Sequence, residues 1–517
     1  MTRVFSVRPF GFRLVLGAAI VATFLGIKAE GALAGPVVVP EGLPTAPGPA
    51  DFPPIDAQAA LLGQSLFYDP ILSGNENIAC ATCHHPTLGS SDGMSLSIGE
   101  GGEGLGPARR LRLKDHVYDR IPRNAPALWN KGSTHFQVMF HDGRVMADAD
   151  RPFGVVTPQG DLEGAVMNLL AAQAMFPMTS ADEMAGQNEE NETAKRIAAG
   201  KIKGEDGAWA LIAAKVAAVP AYRAAFDWVI GPDQPIHITD IANALASFMT
   251  FEFRSTDSPF DNYLRGDEAA LSETQKLGMA LFYGDAGCAA CHAGPFQTDQ
   301  NFHAMGMPQI GPGKRHVEAQ YSDIGRGAIT GDRADDYKFR TPSLRNVTLT
   351  APYGHAGAYA TLEAVIQHHR GPAAALALYD SAQAKLHPLS LEAGDFDALA
   401  DPVELDRINA AIEIEGVALH EGDTAAIIAF LTALEDPVAK AGRLGVPDRV
   451  LSGLPMDEDP QARVLSTLSS LPNDKLGTVA NVSVPKVSEA QVMVAQEASA
   501  SQTSEALLIP VEATELK

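Results

Sequence analysis

The 517-residue sequence has few cysteines, few basic residues and, after its first 34 residues, no long hydrophobic run. Lys and Arg number 39 against 63 Asp and Glu, so the formal net charge is −24. Phosphate binding needs clustered Lys and Arg, and their shortage argues against nucleic acid as a main partner. No later segment approaches the ~20 apolar residues of a transmembrane helix, so we expect no membrane association beyond an export signal. The 46% hydrophobic and 20% charged content excludes a collagen-like or fully disordered chain.

The N-terminus has the pattern of an export signal. Three arginines, Arg3, Arg8 and Arg13, precede an apolar stretch at residues 14–27, and Ala-Leu-Ala at 32–34 matches a cleavage site. An uncleaved membrane anchor is the alternative, but this stretch is short against the ~20 residues that span a bilayer. We therefore expect a cleaved signal peptide over 1–34 and a periplasmic mature protein.

The remaining chain is predicted to be mainly helical. Residues 35–54 are rich in Pro and Gly, which predicts an extended linker. Helical patterns and Gly/Pro-marked loops then alternate from residue 55 to about residue 440, whereas strand patterns are scarce. No aromatic residue occurs in 458–517, so this segment is predicted to be a disordered tail.

The sequence also contains an internal repeat. The segments 63–68 (GQSLFY) and 278–283 (GMALFY) share one pattern, and each precedes a pair of cysteines. Two similar helices that lead to the same motif indicate a duplicated module.

All 4 cysteines lie in two C-x-x-C-H motifs, which are typical of covalent attachment of c-type haem. The two thiols add across the haem vinyl groups, and the following histidine is placed to ligate the iron. A zinc ribbon is disfavoured because its cysteine pairs usually lie ~15–20 residues apart. Thiol–disulfide exchange needs no histidine after each pair. The sequence therefore predicts two covalent haems, on Cys80, Cys83 and His84, and on Cys288, Cys291 and His292.

Each haem iron needs a sixth ligand or an open position, and this choice separates electron transfer from chemistry. A Thr and a Gly-Pro pair bound a predicted helix within 361–372. His369 shares one face of that helix with three apolar residues, so we expect it to point into the core while His368 points away. A lone core histidine is more often a hydrogen-bonded packing residue. Because a haem iron here needs a sixth ligand, His369 is nevertheless a candidate axial ligand. Met305 and Met307 are weaker candidates. The three apolar residues are Leu362, Val365 and Ile366.

On these and further motifs, the sequence resembles the bacterial dihaem cytochrome c peroxidase and MauG family. The resemblance extends over roughly residues 55–437, and the motifs together are far more specific than C-x-x-C-H alone. Besides the haem motifs and TLEAVIQHH, they are PRNAPALWN (122–130), FHDGR (140–144), QAMFP (173–177), SPFDNYLRGD (258–267) and FRTPSLRNVTLTAPYGHAG (339–357).

The resemblance implies two cytochrome-c-like helical domains, over 55–250 and 251–457, each with one covalent c-type haem. It implies that His84 and His292 are the proximal iron ligands, that the N-terminal haem meets peroxide and that the C-terminal haem transfers electrons. It also implies one Ca²⁺ between the domains, since oxygen ligands suit that ion. The implied calcium ligands are Asn124 and the backbone carbonyls of Thr350 and Pro352.

The resemblance assigns the distal pocket of the peroxidatic haem to Gln173, Pro177 and Glu183. A carboxylate over an open iron can take a proton from H₂O₂ and return it to the leaving oxygen, which is general acid–base catalysis. From its residue type alone, Glu183 could instead be a solvated loop acid.

Three positions depart from the family pattern. Peroxidases that need reductive activation carry a removable His where this chain has Glu100, so the N-terminal iron is expected to be permanently open, as in MauG. The Trp thought to carry electrons between the haems is His141 here, which places the inter-haem route in doubt. The distal ligand of the C-terminal haem is Met in the peroxidases and Tyr in MauG, whereas this chain has His369. A second imidazole should lower the reduction potential relative to Met.

The sequence thus predicts a dihaem oxidoreductase that uses H₂O₂. Its electron donor is either a small redox protein (a cytochrome or a cupredoxin) or, as for MauG, a side chain of a partner protein. The acidic charge suits a basic donor, or it serves only solubility. The alternative is a dihaem electron carrier without peroxide chemistry, in which a second histidine closes the first iron. The available histidines near the first motif are His85, His116, His135 and His141.

Overall fold

The computed structural model describes residues 42–111, 119–314, 321–388 and 394–457. The predicted signal peptide, part of the predicted linker and the predicted tail lie outside these residues. The described chain is mainly helical, which confirms the predicted fold class. The α-helices in chain order are α1 (Ala57–Tyr68), α2 (Cys80–Cys83), α3 (Leu169–Ala174), α4 (Glu192–Ala198), α5 (Ala208–Ala217), α6 (Pro220–Ile230), α7 (Ile238–Glu252), α8 (Pro259–Leu264), α9 (Glu273–Tyr283), α10 (Gly327–Thr330), α11 (Leu362–Arg370), α12 (Pro372–Ala377), α13 (Asp397–Ala400), α14 (Pro402–Ala411), α15 (Asp423–Thr432) and α16 (Pro437–Ala441).

The strands of the described residues are two or three residues long and pair only with antiparallel neighbours. The first pairs with the second, the third to fifth form one small sheet in that order, and the sixth pairs with the seventh. They are β1 (Gly102–Glu103), β2 (Arg110–Leu111), β3 (Val138–Met139), β4 (Val145–Ala147), β5 (Val155–Val156), β6 (Phe302–His303) and β7 (Phe339–Arg340).

A first hydrophobic core forms where α1 crosses α7. A methyl group at Gly63 of α1 would overlap the Ala244 carbonyl oxygen and the Phe248 side chain of α7. Glycine at this position therefore allows the two helices to approach closely. Phe67, Phe248 and Phe253 pack beside the crossing, with ring centroids 5.1, 5.9 and 6.0 Å apart.

A second core repeats this arrangement where α9 crosses α15. A methyl group at Gly278 of α9 would overlap the Ala426 carbonyl oxygen and the Phe430 side chain of α15. Phe282 lies 5.2 Å from Phe430, between ring centroids. The repeat in the sequence is thus also a repeat of structure, with Gly63 and Gly278 at equivalent crossings.

The segment 442–457, here called the C-terminal strap, packs against the first core. The buried Glu252 carboxylate accepts hydrogen bonds from three consecutive backbone N–H groups, 443–445, at 2.6 to 3.1 Å. Asp457, the last described residue, accepts a hydrogen bond from the Thr82 hydroxyl at 2.7 Å. Because Thr82 lies inside the first C-x-x-C-H motif, the strap ends directly on that motif.

A buried ion-pair cluster joins loops from the two halves of the chain. Arg123 binds Asp142 at 2.6 Å and Asp323 at 2.7 and 2.8 Å. Burial alone would raise the pKa of Asp142, but the charges of Arg123 and Arg144 outweigh it and lower that pKa to about 2. The carboxylates therefore stay ionised and paired, which connects the two cores.

No single helix of the described residues is both long and apolar enough to cross a membrane. Helices α5 and α6 meet that test of length and composition only as a pair, and they are bent by 102° relative to each other.

Candidate haem sites

The first C-x-x-C-H motif forms one helical turn, α2. The backbone N–H of His84 donates to the Cys80 carbonyl at 3.0 Å, and the ring Nδ1 lies 3.1 Å from the Ser90 carbonyl oxygen. A carbonyl only accepts, so Nδ1 carries the ring proton and Nε2 keeps a lone pair that can bind a metal. Desolvation lowers the pKa of His84 and favours this neutral form.

The second motif begins with a 3₁₀ turn, Cys288–Ala290, but its histidine forms the same two hydrogen bonds. The backbone N–H of His292 donates to the Cys288 carbonyl at 3.0 Å, and Nδ1 lies 3.2 Å from the Gln297 carbonyl oxygen. Desolvation, and then the neighbouring His369, lower the pKa of His292 to about 4. Both motifs therefore hold a neutral imidazole with Nε2 available, which fits the proximal ligand of a haem.

A pocket opens beside the first motif and encloses about 1100 Å³, its open mouth included. Cys80, Cys83 and His84 lie on its wall. Two thiols, a histidine with an available Nε2 and largely apolar walls fit a covalent haem. The apolar lining comes mainly from Phe67, Ile78, Leu128, Leu170, Leu245 and Met249.

The three predicted distal residues, Gln173, Pro177 and Glu183, all line this same pocket. Gln173 lies in α3, Pro177 begins a 3₁₀ turn and Glu183 lies in a five-residue π-helical turn. Desolvation raises the pKa of the Glu183 carboxyl, and the charges of Arg144 and Lys314 oppose this rise. The structure thus places Glu183 at the pocket, where an acid can reach a bound ligand.

Glu100 is held by the side-chain amides of two asparagines. Its Oε1 accepts hydrogen bonds from the side-chain amides of Asn77 at 2.5 Å and Asn75 at 3.0 Å. Its backbone N–H donates to the Asp182 carbonyl at 3.1 Å. A methyl group at Gly99 would also overlap that carbonyl, so this loop packs tightly on the π-helical turn.

His141 lies between β3 and β4 and lines the first pocket. Desolvation and the charges of Arg123 and Arg340 hold the pKa of His141 well below its ordinary value, so the ring is neutral. Its carbonyl accepts a hydrogen bond from the Arg340 backbone at 2.8 Å. Two residues further along, the Pro342 carbonyl interacts with the His292 ring. His141 therefore connects the first pocket to the segment beside the second motif.

The other histidines considered as a second ligand of the first iron differ from His141. His85 binds a neighbouring threonine hydroxyl at 2.7 Å, and His135 binds Asp51 at 2.8 Å. His116 lies outside the described residues. Among the described candidates, His141 alone lies on the wall of the first pocket.

The two histidines of α11 are placed differently from the prediction. His368, expected to point away, is fully buried, with Nδ1 2.8 Å from the Tyr359 hydroxyl and Nε2 2.7 Å from the Met305 carbonyl. His369, expected in the core, is half-buried, and its Nδ1 donates to the Val365 carbonyl at 2.8 Å. The expectation was wrong for His368, because Tyr359 and the Met305 loop cover a second face of the helix.

These contacts nevertheless separate the two rings by their ligand capacity. Both nitrogens of His368 are engaged, whereas the Nδ1 bond of His369 leaves its Nε2 with a lone pair. His369 is also near enough to His292 to lower the pKa of that ring. Its role as axial ligand stays a prediction.

Of the predicted calcium residues, Asn124 contacts the segment that follows Thr350 and Pro352. The backbone N–H of Asn124 donates to the His355 carbonyl at 2.9 Å, which places Asn124 beside the segment that contains Thr350 and Pro352. The Asn124 amide nitrogen donates to the Met94 carbonyl at 2.9 Å, so its oxygen is the atom that could face a cation. These are oxygen donors of the kind that Ca²⁺ prefers, and the site stays a prediction.

A second set of metal-type donors lies beside the second motif. Side-chain donor atoms of Cys291, Asp299 and His303 lie within 4.8 Å of one another. His303 Nε2 is 2.9 Å from Asp299. Haem attachment takes the Cys291 thiol, so the set is reduced to a histidine–carboxylate pair.

Sequence reasoning missed three cationic residues of the first pocket, Arg123, Arg144 and Lys314. The Arg144 guanidinium lies 3.5 Å from the Phe140 ring centroid and binds Asp142 at 2.9 Å. Arg144 belongs to the FHDGR motif, which could have marked it. Lys314 follows a Gly-Pro-Gly loop that carries no distinguishing pattern.

A duplicated helical frame with a c-type haem motif in each half defines a dihaem c-type cytochrome. One of its two motifs opens onto a pocket lined by an acid, two amides and three cations.

Comparison with known proteins is consistent with this class. A model of the di-haem cytochrome c peroxidase family matches residues 57–269. The chain is 33% identical over 319 residues to methylamine utilization protein MauG of Methylorubrum extorquens, covering 61% of this chain and 69% of that protein. It is 30% identical over 378 residues to cytochrome-c peroxidase IdrP1 of Pseudomonas sp. strain SCT, covering 69% and 83%. It is 31% identical to cytochrome c551 peroxidase of Nitrosomonas europaea, covering 61% and 73%. The chain belongs to the dihaem cytochrome c peroxidase and MauG family, and it is an oxidoreductase.

Proposed function

We propose that this protein reduces H₂O₂ at the first haem site and draws electrons through a second haem held by His292 and His369. Reduction of H₂O₂ to two water molecules consumes two electrons and two protons. The observation that supports this most strongly is the shared pocket, because His84 and Glu183 line the same space. A carrier of electrons alone would not need an acid there.

The pocket residues have separate tasks in this proposal. The bound haem iron supplies the position that holds peroxide and passes on the electrons. The Glu183 carboxylate takes a proton from one peroxide oxygen and delivers it to the oxygen that leaves as water. The Gln173 amide orients the peroxide by hydrogen bonding, and Pro177 narrows the space without offering an N–H donor. Arg144 and Lys314 keep a larger fraction of Glu183 ionised, since positive charge favours the carboxylate.

We further propose that the first site is open without prior reduction. The Glu100 side chain is bound by Asn75 and Asn77, and its loop packs on the turn of the distal acid. A carboxylate held in this way leaves the iron position free for peroxide.

The electron donor is proposed to be a small redox protein, a cytochrome or cupredoxin, or a side chain of a partner protein as for MauG. The open first haem and the non-Met second haem favour MauG-like chemistry. His141, where the resemblance expects Trp, is a poorer carrier of an electron hole than Trp, and this argues against a close copy of MauG. The surplus of acidic residues suits a basic donor.

Several further assignments belong to the same proposal. The two haem domains span 55–250 and 251–457, and one Ca²⁺ lies between them on Asn124, Thr350 and Pro352. Removal of a signal peptide over 1–34 delivers the protein to the periplasm, where c-type haem is attached.

The replacement Glu183→Gln tests the role of the distal acid. It keeps the shape and a hydrogen-bonding group but cannot move a proton, so the rate of reaction of the ferric dihaem protein with H₂O₂ should fall about 10²- to 10⁴-fold in stopped-flow measurements. Asp182→Asn is the matched control, because Asp182 lies on the same turn, binds Gln187 at 3.0 Å and is not among the pocket-lining residues. A Glu183→Gln protein with normal haem spectra and an unchanged rate would refute the assigned role.

A further inference from the structure

Two buried cations, Lys131 and Arg340, form no hydrogen bond or ion pair with a carboxylate among the described residues, although the charge of the nearby Asp299 acts on Arg340. Lys131 is 9% exposed, and its amine lies 4.4 Å from the Phe136 ring centroid. Arg340 is 7% exposed and donates only to backbone oxygens, those of Phe140 and Thr341, each at 3.0 Å. A buried lysine or arginine is rare unless it is paired, because burial of an unpaired charge costs several kcal/mol.

The other buried arginines of the described residues are paired with carboxylates. Each binds at least one carboxylate at 3.4 Å or less, and one pair is completely buried on both sides. These pairs are Arg109–Asp457, Arg120–Asp395, Arg123–Asp142 and Arg345–Asp261. The unpaired state of Lys131 and Arg340 therefore sets them apart and calls for an anion.

Lys131 is connected through its neighbours to both haem motifs. Its backbone N–H donates to the Leu128 carbonyl at 3.2 Å, and Leu128 lines the first pocket. The Phe136 ring beneath its amine packs against Phe296, with centroids 5.6 Å apart. The residue after Phe296 holds the His292 ring through its carbonyl.

Arg340 occupies the same boundary. Its backbone binds the carbonyl of His141, a residue of the first pocket, at 2.8 Å. Pro342, two residues later, interacts with the His292 ring through its carbonyl. Burial, and then the charge of Arg340, hold the pKa of Lys131 well below its ordinary value, so the two cations are near each other. Asp299 offsets part of the charge of Arg340, but it forms no ion pair with Arg340.

We propose that Lys131 and Arg340 bind carboxylate groups of the haems, the propionate side chains, at the boundary between the two haem sites. A planar guanidinium suits a carboxylate through paired N–H donors, and an ammonium supplies a compact charge beside it. The carboxylates come from the first haem, the second or one from each. This inference depends on covalent haem in both motifs and not on peroxide chemistry.

The charge has a consequence for the redox behaviour of the haem. A positive group close to a haem stabilises the ferrous form, which carries one positive charge less than the ferric form. Lys131 and Arg340 therefore raise the reduction potential of the haem whose carboxylate they bind.

Spectroelectrochemical titration of the full dihaem protein tests the proposal without H₂O₂. In Lys131→Met, the ratio of reduced to oxidised haem at a fixed potential should fall about tenfold, which is a midpoint about 59 mV lower for a one-electron couple. The haem whose midpoint moves is the source of the carboxylate. Lys131→Arg keeps the positive charge and should therefore keep the midpoint of the unmodified protein. Lys195→Met, which removes an exposed lysine, should leave both midpoints unchanged.

The alternative is that Lys131 is a buried amine that binds no haem carboxylate. In that case Lys131→Met would leave both midpoints unchanged and raise the melting temperature, because it removes a costly buried group. That result would overturn the proposal. If the Met variant fails to load haem, Lys131→Gln replaces it, since it keeps a hydrogen-bond donor and removes the charge. A lower midpoint in Lys131→Gln would support the proposal, and unchanged midpoints would overturn it.

Discussion

The chemistry of the first site depends on one carboxyl group and the charges beside it. Desolvation raises the pKa of Glu183, while Arg144 and Lys314 lower it. A general base must be ionised before it can accept a proton, so the rate of peroxide reduction should fall as the pH drops through the pKa of Glu183.

Replacement of Lys314 with Met should move that pH dependence. Loss of a positive charge near the carboxylate raises the pKa of Glu183, so the acidic limb of the pH–rate profile should shift to higher pH. Lys314→Arg keeps the charge and should leave the limb in place. A limb that does not move in Lys314→Met, measured by stopped-flow over a pH series, would show that Lys314 does not act on the group that titrates.

The two histidines of α11 offer a matched comparison at the second site. His369→Ala removes the ring whose Nε2 is available and should convert the second haem from low-spin to high-spin in its ferric spectrum. His368→Gln keeps a side chain that can bond to Tyr359 and Met305, and it should leave the haem low-spin. An unchanged spin state in His369→Ala would remove His369 as ligand.

Among the helices and turns, the sequence predicts those features that local pattern determines. The C-x-x-C-H turns and the helices that carry LFY occur where predicted, and the helix at 362–370 begins after Thr361 as its capping residue requires. The pattern within a helix cannot show which segments, distant in the sequence, pack against that helix. Burial of His368 depends on Tyr359 and on the Met305 carbonyl, which no periodicity within α11 reveals. The same reason explains why Lys314, in a loop without a pattern, was missed.

The repeated helix crossing gives a prediction at this scale. In an isolated helix, Gly→Ala is favourable by about 1 kcal/mol. At Gly63 and Gly278 the new methyl group would overlap a backbone carbonyl, and overpacking costs about 1–3 kcal/mol. The substitution is therefore expected to destabilise the protein at these two positions. Gly63→Ala and Gly278→Ala should each lower the free energy of unfolding in denaturant titrations. Gly48→Ala, where no atom lies within 4 Å of the new group, should not. Stabilisation by either core variant would contradict the close approach of the helices.

On the scale of the whole molecule, the two halves share a frame but differ at their haem motifs. They are joined by the Arg123 ion pairs and by the C-terminal strap, which binds Glu252 of α7 near its start and Thr82 of the first motif at Asp457. The first motif faces a pocket with an acid, whereas the second lies near a histidine with an available nitrogen. This difference between the sites is the basis for assigning peroxide chemistry to one and electron transfer to the other.

Low-temperature EPR of the ferric protein with both haems attached, recorded before and after addition of H₂O₂, tests that assignment most directly. We expect one high-spin signal from the open first site and one low-spin signal from the second, and both should be lost with peroxide. Two low-spin signals that do not respond to H₂O₂ would contradict the account. Both irons would then carry two side-chain ligands, and the protein would be an electron carrier in which Glu183 has no catalytic role.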